Sequence, residues 1–315
     1  MNIIVLGGGC STEREVSLVS GRQIEKALKE RGHSVEFVDM DFSMGMAGWS
    51  AFLEKCKKAD IVFLALHGSP GEDGRLQGMF DLMGIPYTGA GMLASAIAMD
   101  KKTTKQILRE AGVPVPGDAE LSGLSKQEAG RLDSLQFPLV VKPSSGGSSV
   151  GVFIVKNEGE LREALQKAAA YGSEVLVEEY IPGRELTLTV LDGKPLPIVE
   201  IIPKKNGTAS GSDEEFYDYE HKYAPGFSEE ICPADLPEEK TKELMALAVK
   251  AYNAMGLNAY ARFDVRMNEE GNFFFLEANT LPGMTPTSLL PLEARTIGMD
   301  FGELCEKIIE VSLER

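Results

Sequence analysis

The chain is poor in the residues that usually announce a cofactor or a cross-linked scaffold: among 315 residues there are one Trp, three His and four Cys. Cys10, Cys56, Cys232 and Cys305 are widely spaced and form no CxxC pair, which suits reduced thiols better than disulfides or zinc. His33, His67 and His221 are too dispersed for an HExxH site. No run of about 18 apolar residues is present, and the N-terminus has no basic segment followed by an apolar core. These absences lead to the expectation of a cytoplasmic protein without a membrane span. Basic surplus is missing too: 32 Lys and Arg stand against 48 Asp and Glu, a net charge of −16. Such a chain is a poor general binder of nucleic acid or anionic membrane, so small molecules are the expected partners. No internal repeat is visible. What is present is a chain with 43% hydrophobic residues, long enough for two or three domains.

The stretch from Ala261 to Ser288 carries the densest chemistry. Two runs rich in Phe and Val, Ala261 to Met267 and Asn272 to Ala278, flank Asn268-Glu269-Glu270-Gly271, which reads as a hairpin turn. Alternation puts Arg262, Asp264 and Arg266 on one face and Ala261, Phe263 and Val265 on the core face. A four-residue loop would set Phe275 opposite Asp264 and Glu277 opposite Arg262, gathering Asp264, Glu277 and Asn279 on one face. A carboxylate closing the apolar run Phe273 to Leu276 needs a partner. Two carboxylates and an amide are hard oxygen ligands, which suits magnesium rather than zinc. The plain alternative is an ion pair of Glu277 with Arg262 and a capping Asn279.

Elsewhere, residues 2–6 read as a buried strand, Gly7 to Gly9 as a tight loop, Glu13 to Arg31 as a helix and Ser34 to Val38 as a second strand. Asp39 sits where a dinucleotide fold places its ribose carboxylate, but Thr12 stands where the third glycine belongs. Thr12-Glu13-Arg14-Glu15 has the form of a helix capping box, a structural use for Glu15. The apolar run Asp60 to Leu66 leads into a glycine-rich loop starting at His67, the position where open α/β sheets bind ligands. A single loop histidine is more often structural than catalytic. Pro143 to Gly151 joins two strands as a Gly/Ser hairpin loop, whose amides can cradle phosphate or which can be a simple linker. Residues 204–215 are polar and glycine-rich and lead into the aromatic cluster 216–223, the composition of a mobile lid.

Seven motifs in order resemble the D-alanine:D-alanine ligase family of the ATP-grasp superfamily over nearly the whole chain. They are GGGCSTEREVSLVSG at 7–21, ALHGSPGEDGRLQG at 65–78, MDK at 99–101, VKPSSGGSSVGV at 141–152, EEYIPGRELT at 178–187, FYDYEHKY at 216–223, and RFDV followed by LEANTLPGMTPTSL. The resemblance implies an α/β fold with α+β elements: an N-terminal open parallel α/β domain (1–95), a central domain (96–180) and a C-terminal domain (181–315) with a lid over 204–223. Nucleotide would lie between two antiparallel-rich sheets. It implies ATP-dependent joining of two D-alanines through a D-alanyl phosphate, for peptidoglycan precursor synthesis, by a homodimer. ATP would be bound by Lys101, Lys142, Gly146, Gly147, Ser148, Ser149, Glu178, Tyr180, Ile181, Glu185 and Lys222. Asp264, Glu277 and Asn279 would hold two magnesium ions, with manganese as a substitute. Glu15 and His67 would bind the first alanine, Ser288 and Leu289 the second, and Arg262 with the Gly283 N–H would form an oxyanion hole. Ser148 and Tyr223 would tie the Gly/Ser loop to the lid, and Tyr223 favours D-alanine over D-lactate as second substrate. The rivals are a D-alanine:D-lactate or D-alanine:D-serine ligase, or a non-catalytic nucleotide-binding module.

Overall fold

The computed structural model describes residues 1–121, 132, 135–146, 151–171, 174–203 and 228–314. Gly147, Ser148, Ser149, Lys222, Tyr223 and the lid expected over 204–223 lie outside the described residues.

The chain opens with an alternating α/β arrangement of β1 (Asn2–Gly8), α1 (Arg14–Glu30), β2 (Ser34–Met40), α2 (Met46–Cys56) and β3 (Ile61–Leu64). The three strands form a parallel sheet in the order β2-β1-β3, and Tyr87 adds a parallel bridge to Val62. All four residues of β3 are buried, as expected for a parallel strand covered on both faces. Helices α3 (Arg75–Met83), α4 (Met92–Met99) and α5 (Lys101–Glu110) follow.

A four-stranded antiparallel sheet, ordered β4-β7-β5-β6, is built from β4 (Asp118–Leu121), β5 (Leu139–Pro143), β6 (Phe153–Val155) and β7 (Val175–Glu179). Helix α6 (Glu158–Ala168) packs on it. Strand β4 pairs antiparallel with β7, and β5 and β6 pair antiparallel as the hairpin reading required. A six-stranded antiparallel sheet contains β8 (Arg184–Leu191), β9 (Lys194–Pro195), β10 (Val199–Pro203), β11 (Ser228–Ile231), β12 (Tyr260–Met267) and β13 (Phe273–Asn279). Its order is β11-β10-β8-β12-β13, with β9 paired to β8. Helices α7 (Glu238–Ala254), α8 (Leu289–Thr296) and α9 (Phe301–Leu313) complete the chain. No helix among the described residues is long and apolar enough to cross a membrane.

The β12–β13 register corrects the expected one. The loop is three residues, Glu269 to Gly271, closed by Asn268 N–H to the Asn272 carbonyl (3.0 Å) and with Gly271 at φ 80°. That moves the pairing by one residue and sets Val265, not Asp264, opposite Phe275. A β-bulge between Asp264 and Val265 then leaves Leu276 unpaired and shifts the register by one more. Asp264 thus faces Glu277, and Arg262 faces Asn279. Since strand side chains alternate with period two, the two single slips restore the expected faces. Phe275 is the exception and points into the core at 0% exposure.

The C-terminal helix α9 returns to the first sheet. Asp300 and Glu303 form a reciprocal capping box at its start, both bonds 2.8 Å. Its stripe of Leu304, Cys305, Ile308 and Ile309 joins the core of Ile3, Leu6, Phe63 and Leu64, together with Leu281, Met284 and Leu290. Residues more than two hundred positions apart therefore share one core.

Gly183 sits at φ 120°, and a Cβ there would collide with the Met267 carbonyl. We expect Gly183→Ala to lower unfolding free energy by about 1–3 kcal/mol in denaturant titration, against about 1 kcal/mol for Gly271→Ala, whose Cβ would meet only the flexible Lys240 side chain.

Candidate functional site

The site-bearing face is composed by strand pairing. On β8, Glu185, Thr187 and Thr189 stand opposite Arg266, Asp264 and Arg262 of β12, and β13 adds Glu277 and Asn279. The Arg262 guanidinium grips Asp264 with two bonds, 2.8 and 2.9 Å. Thr187 Oγ1 donates to Asp264 Oδ1 (2.8 Å), and Asn279 Nδ2 donates to Asp264 Oδ2 (3.2 Å). Lys101 Nζ lies 3.3 Å from Glu277. The expected alternative of an Arg262–Glu277 pair is thus replaced by Arg262 on Asp264 and Lys101 on Glu277. Each half-buried carboxylate has cationic or hydrogen-bonding compensation, as its partial burial demands. Two carboxylates and an amide on one face supply the oxygen chemistry that a magnesium ion seeks. Among the described residues no cluster of three His, Cys, Asp or Glu makes a full protein cage, so the remaining ligands would come from bound phosphate and water.

Helix α5 links this face to the four-stranded sheet. Lys101 also donates to the Gly146 carbonyl, at the described edge of the Gly/Ser loop. Glu178 on β7 is buried between Lys142 of β5 and Lys105 of α5, the latter 2.6 Å away. Burial would raise the Glu178 carboxyl, but the charges of Lys142 and Lys105 outweigh it and hold it below the usual range. Burial lowers the Lys105 ammonium in spite of Glu178. Lys105 escaped the sequence reading, although the signal exists: Lys101, Thr104, Lys105 and Leu108 form the buried face of α5, a helical stripe with lysines at apolar positions. Arg266 is a second omission. It donates to the Ile181 carbonyl (3.1 Å), the Gly183 carbonyl (3.0 Å) and Glu185 (3.3 Å), and its guanidinium lies 5.8 Å from the Tyr180 ring centre. Tyr180, Ile181 and Glu185 are thereby held together.

The first sheet contributes a second group. His67 follows the C-terminal end of β3, and its Nδ1 lies 2.9 Å from the Leu281 carbonyl. A carbonyl only accepts, so Nδ1 carries the proton and Nε2 faces the Ser20 hydroxyl at 3.4 Å. Burial, opposed by the charge of Glu13, drives the imidazole below its ordinary value. Glu72 accepts from Gly68 N–H (3.1 Å) and Leu281 N–H (3.0 Å), pinning the 67–74 loop to the segment after β13. Burial and the nearby Glu13 push Glu72 up to about 7.

Glu15 requires a correction. It lies exposed on the first turn of α1, whose N-cap is Glu13 without a side-chain cap bond, so the capping box does not form. Glu13 is the carboxylate at the His67 loop, its Oε2 3.4 Å from where a Cβ on Gly68 would stand. The two glutamates differ by two positions, and a helix start turns residues two apart to different sides. Asp39, the dinucleotide-like acid, is occupied by a bidentate pair with Arg14, 2.7 and 2.8 Å.

Beyond β13, Ser288 Oγ accepts from Thr285 N–H (3.0 Å); Ser288 holds the N-cap position of α8 without a side-chain cap bond, and Leu289 is the first helical residue. A Cβ on Gly283 would lie 2.8 Å from that hydroxyl, so a side chain there would displace the Ser288 hydroxyl. One turn into α8, Glu293 is fully buried, and its Oε2 accepts from Thr189 N–H (3.1 Å). Burial pushes Glu293 up to about 8.

Comparison with known proteins agrees with this architecture. Residues 107–310 match the model for the D-ala D-ala ligase C-terminus and residues 43–90 the model for the N-terminus. A D-alanine–D-alanine ligase of Synechococcus sp. (strain JA-2-3B'a(2-13)) is 44% identical over 100% of this chain and 94% of its own length. The crystal structure of D-alanine–D-alanine ligase from Bacillus anthracis complexed with ATP matches with a TM-score of 0.85 and 38% identity, covering 100% of this chain and 97% of that one. The VanG D-Ala:D-Ser ligase of Enterococcus faecalis follows with a TM-score of 0.81 and 28% identity, covering 99% of each chain. An open parallel α/β sheet beside two antiparallel sheets joined through lysines and carboxylates is the ATP-grasp fold. The chain belongs to the D-alanine–D-alanine ligase family.

Glu293 makes stability depend on pH. Its carboxyl stays protonated in the folded chain up to about 8, against an ordinary value of 4.5. The folded state therefore binds the extra proton between those values, and the contribution, full below 4.5, is lost as pH rises through about 8. Glu293→Gln is expected to flatten that part of the decline, seen as a smaller difference in denaturant midpoint between about pH 5 and about pH 8 than in the unmodified protein.

Proposed function

We propose that the protein is an ATP-dependent ligase that joins two D-alanine molecules, supplying the dipeptide for peptidoglycan precursors. The observation that carries this reading is the shared face of β8, β12 and β13, where Asp264, Glu277 and Asn279 stand beside Arg262 and within reach of Lys101. Similarity at 44% to curated D-alanine–D-alanine ligases, against 28% to a D-Ala:D-Ser ligase, supports D-alanine at both positions. The work would divide among three units, 1–95, 96–180 and 181–315, and the family resemblance implies that two copies assemble.

In this reading Glu13 receives the ammonium group of the first D-alanine, beside the neutral His67 ring. ATP is gripped by Lys101 and Lys142, with Glu178, Tyr180, Ile181 and Glu185 around the nucleoside. The first substrate's carboxylate oxygen attacks the γ-phosphorus, ADP leaves, and an acyl phosphate results; such a transfer needs positioning and charge neutralisation above all. Asp264, Glu277 and Asn279 would hold magnesium, which when bound supplies charge neutralisation along the phosphates. The second D-alanine, its carboxylate at Ser288 and Leu289, then attacks the acyl carbon with its amine. Arg262 and the Gly283 N–H bind the oxyanion as the carbon becomes tetrahedral. That attack forms the C–N bond; collapse then re-forms the carbonyl, breaks the C–O bond to the phosphoryl group and expels inorganic phosphate, and the nitrogen gives up its extra proton to water.

The test is purified protein with ATP, magnesium and D-alanine, followed by coupled ADP release and mass analysis. D-alanine-dependent ADP release with a D-alanyl-D-alanine product is expected, and ADP release without dipeptide would refute the reading. D-lactate and D-serine added in competition should yield little mixed product. Glu277→Gln should cut turnover by about a hundredfold or more, while the denaturant midpoint changes little. Glu13→Gln is expected to raise the KM of the first D-alanine by about tenfold, losing one charge-assisted contact, whereas Glu15→Gln leaves it within about twofold.

A further inference from the structure

Strand β8 is paired on both edges, yet at Thr189 the outer edge is only half closed by backbone: the carbonyl accepts from Leu196 N–H (2.8 Å), while the N–H turns to a side chain. Its outer edge pairs with β10 from Glu185 to Thr187 and with β9 from Val190 to Leu191. The N–H of Thr189 falls in the gap between these two stretches. A carbonyl would fill that place in a continuous sheet. Here the side chain of Glu293, 104 positions away, accepts the bond instead at 3.1 Å. Glu293 has 0% exposure, and its second oxygen, Oε1, has no hydrogen-bond partner among the described residues.

What this carboxyl joins is specific. Thr189 stands directly opposite Arg262 on β12, and its neighbour on the same face, Thr187, holds Asp264 at 2.8 Å. Helix α8, which carries Glu293, starts at Ser288 and Leu289, about 7.5 Å up the helix axis by the rise per residue. A single buried carboxyl therefore ties the helix bearing the second-substrate residues to the strand that backs the oxyanion arginine.

We propose that Glu293 is a positioning residue for the second D-alanine: its bond to Thr189 fixes the start of α8 at the correct distance from Arg262. The inference rests on the ligase reading above. If Glu293 only closed the sheet, its loss would cost stability and leave substrate affinity alone. Its bond needs an acceptor and no negative charge, since burial keeps the group protonated near neutral pH. The neutral amide of Gln can accept the same Thr189 N–H.

The experiment is initial-rate kinetics of the full chain over D-alanine concentration, resolving the two D-alanine sites, on Glu293→Ala, Glu293→Leu and Glu293→Gln. Glu293→Ala is expected to raise KM for the second D-alanine by about tenfold, with KM for ATP unchanged, and Glu293→Gln to restore it to within about twofold. Glu293→Leu, which fills the cavity without offering an acceptor, should behave as Ala and replaces it if Ala does not fold. A second-site KM within about twofold of the unmodified protein in the Ala or Leu variant overturns the proposal, as does a Gln variant as impaired as Ala. Absence of dipeptide from the unmodified protein would instead overturn the ligase reading itself.

Discussion

The placement of Asp264 and Arg262 on a strand hydrogen-bonded along both edges is the constraint on which the rest of the site depends. Strand β12 lies between β8 and β13, and its opposite face is filled by Ala261, Phe263 and Val265, all at 0% exposure. It cannot slide by one residue without driving charges into that core. Its polar face is correspondingly rigid. A half-buried carboxylate there must be compensated, and Asp264 receives bonds from Thr187, Arg262 and Asn279, one donor residue on each strand of the triplet. The leftover residue of the bulge, Leu276, lets β13 present Glu277 and Asn279 to that same face.

Charge is distributed unevenly. The chain carries −16 overall, yet Lys101, Lys105, Lys142, Arg262 and Arg266 converge where α5 meets the two antiparallel sheets. Each of these cations is held by a carboxylate or a carbonyl, so the cluster is stable before any ligand arrives. A cluster of cations in a chain of net negative charge draws an anionic ligand to that point, while the chain as a whole repels polyanions. Lys105 shows the cost: fully buried, it is tolerable because Glu178 lies 2.6 Å away and Asp118 3.7 Å away.

The three groups of site residues meet because the chain returns to its beginning. Helix α9 seals the first sheet, and the segment after β13 is drawn against the 67–74 loop by Glu72 and His67. His67 and Leu281 are 214 positions apart, and this contact brings Gly283 and Ser288 to the mouth of the parallel sheet. Glu293 performs the same service from the other side, across 104 positions.

Much of this was legible in the residues themselves. The helix read over Glu13 to Arg31 and the strand read over Ser34 to Val38 form as Arg14–Glu30 and Ser34–Met40, because the helical stripe and the apolar run are local properties of the chain. The acids of the hairpin were legible as a set, since period-two alternation survives a register error of two. The bulge at Leu276 was not, for nothing local distinguishes an unpaired residue from a paired one. The glutamate beside the His67 loop was not legible either: only the docking of that loop on the start of α1 sets Glu13 there and leaves Glu15 exposed. By itself, then, the order of residues determined the strands, the helices and the chemistry each face could carry. Tertiary structure alone decided the partners of Lys105, Arg266, Glu72 and Glu293, because burial and pairing of a charge are set by contacts between segments far apart in the chain.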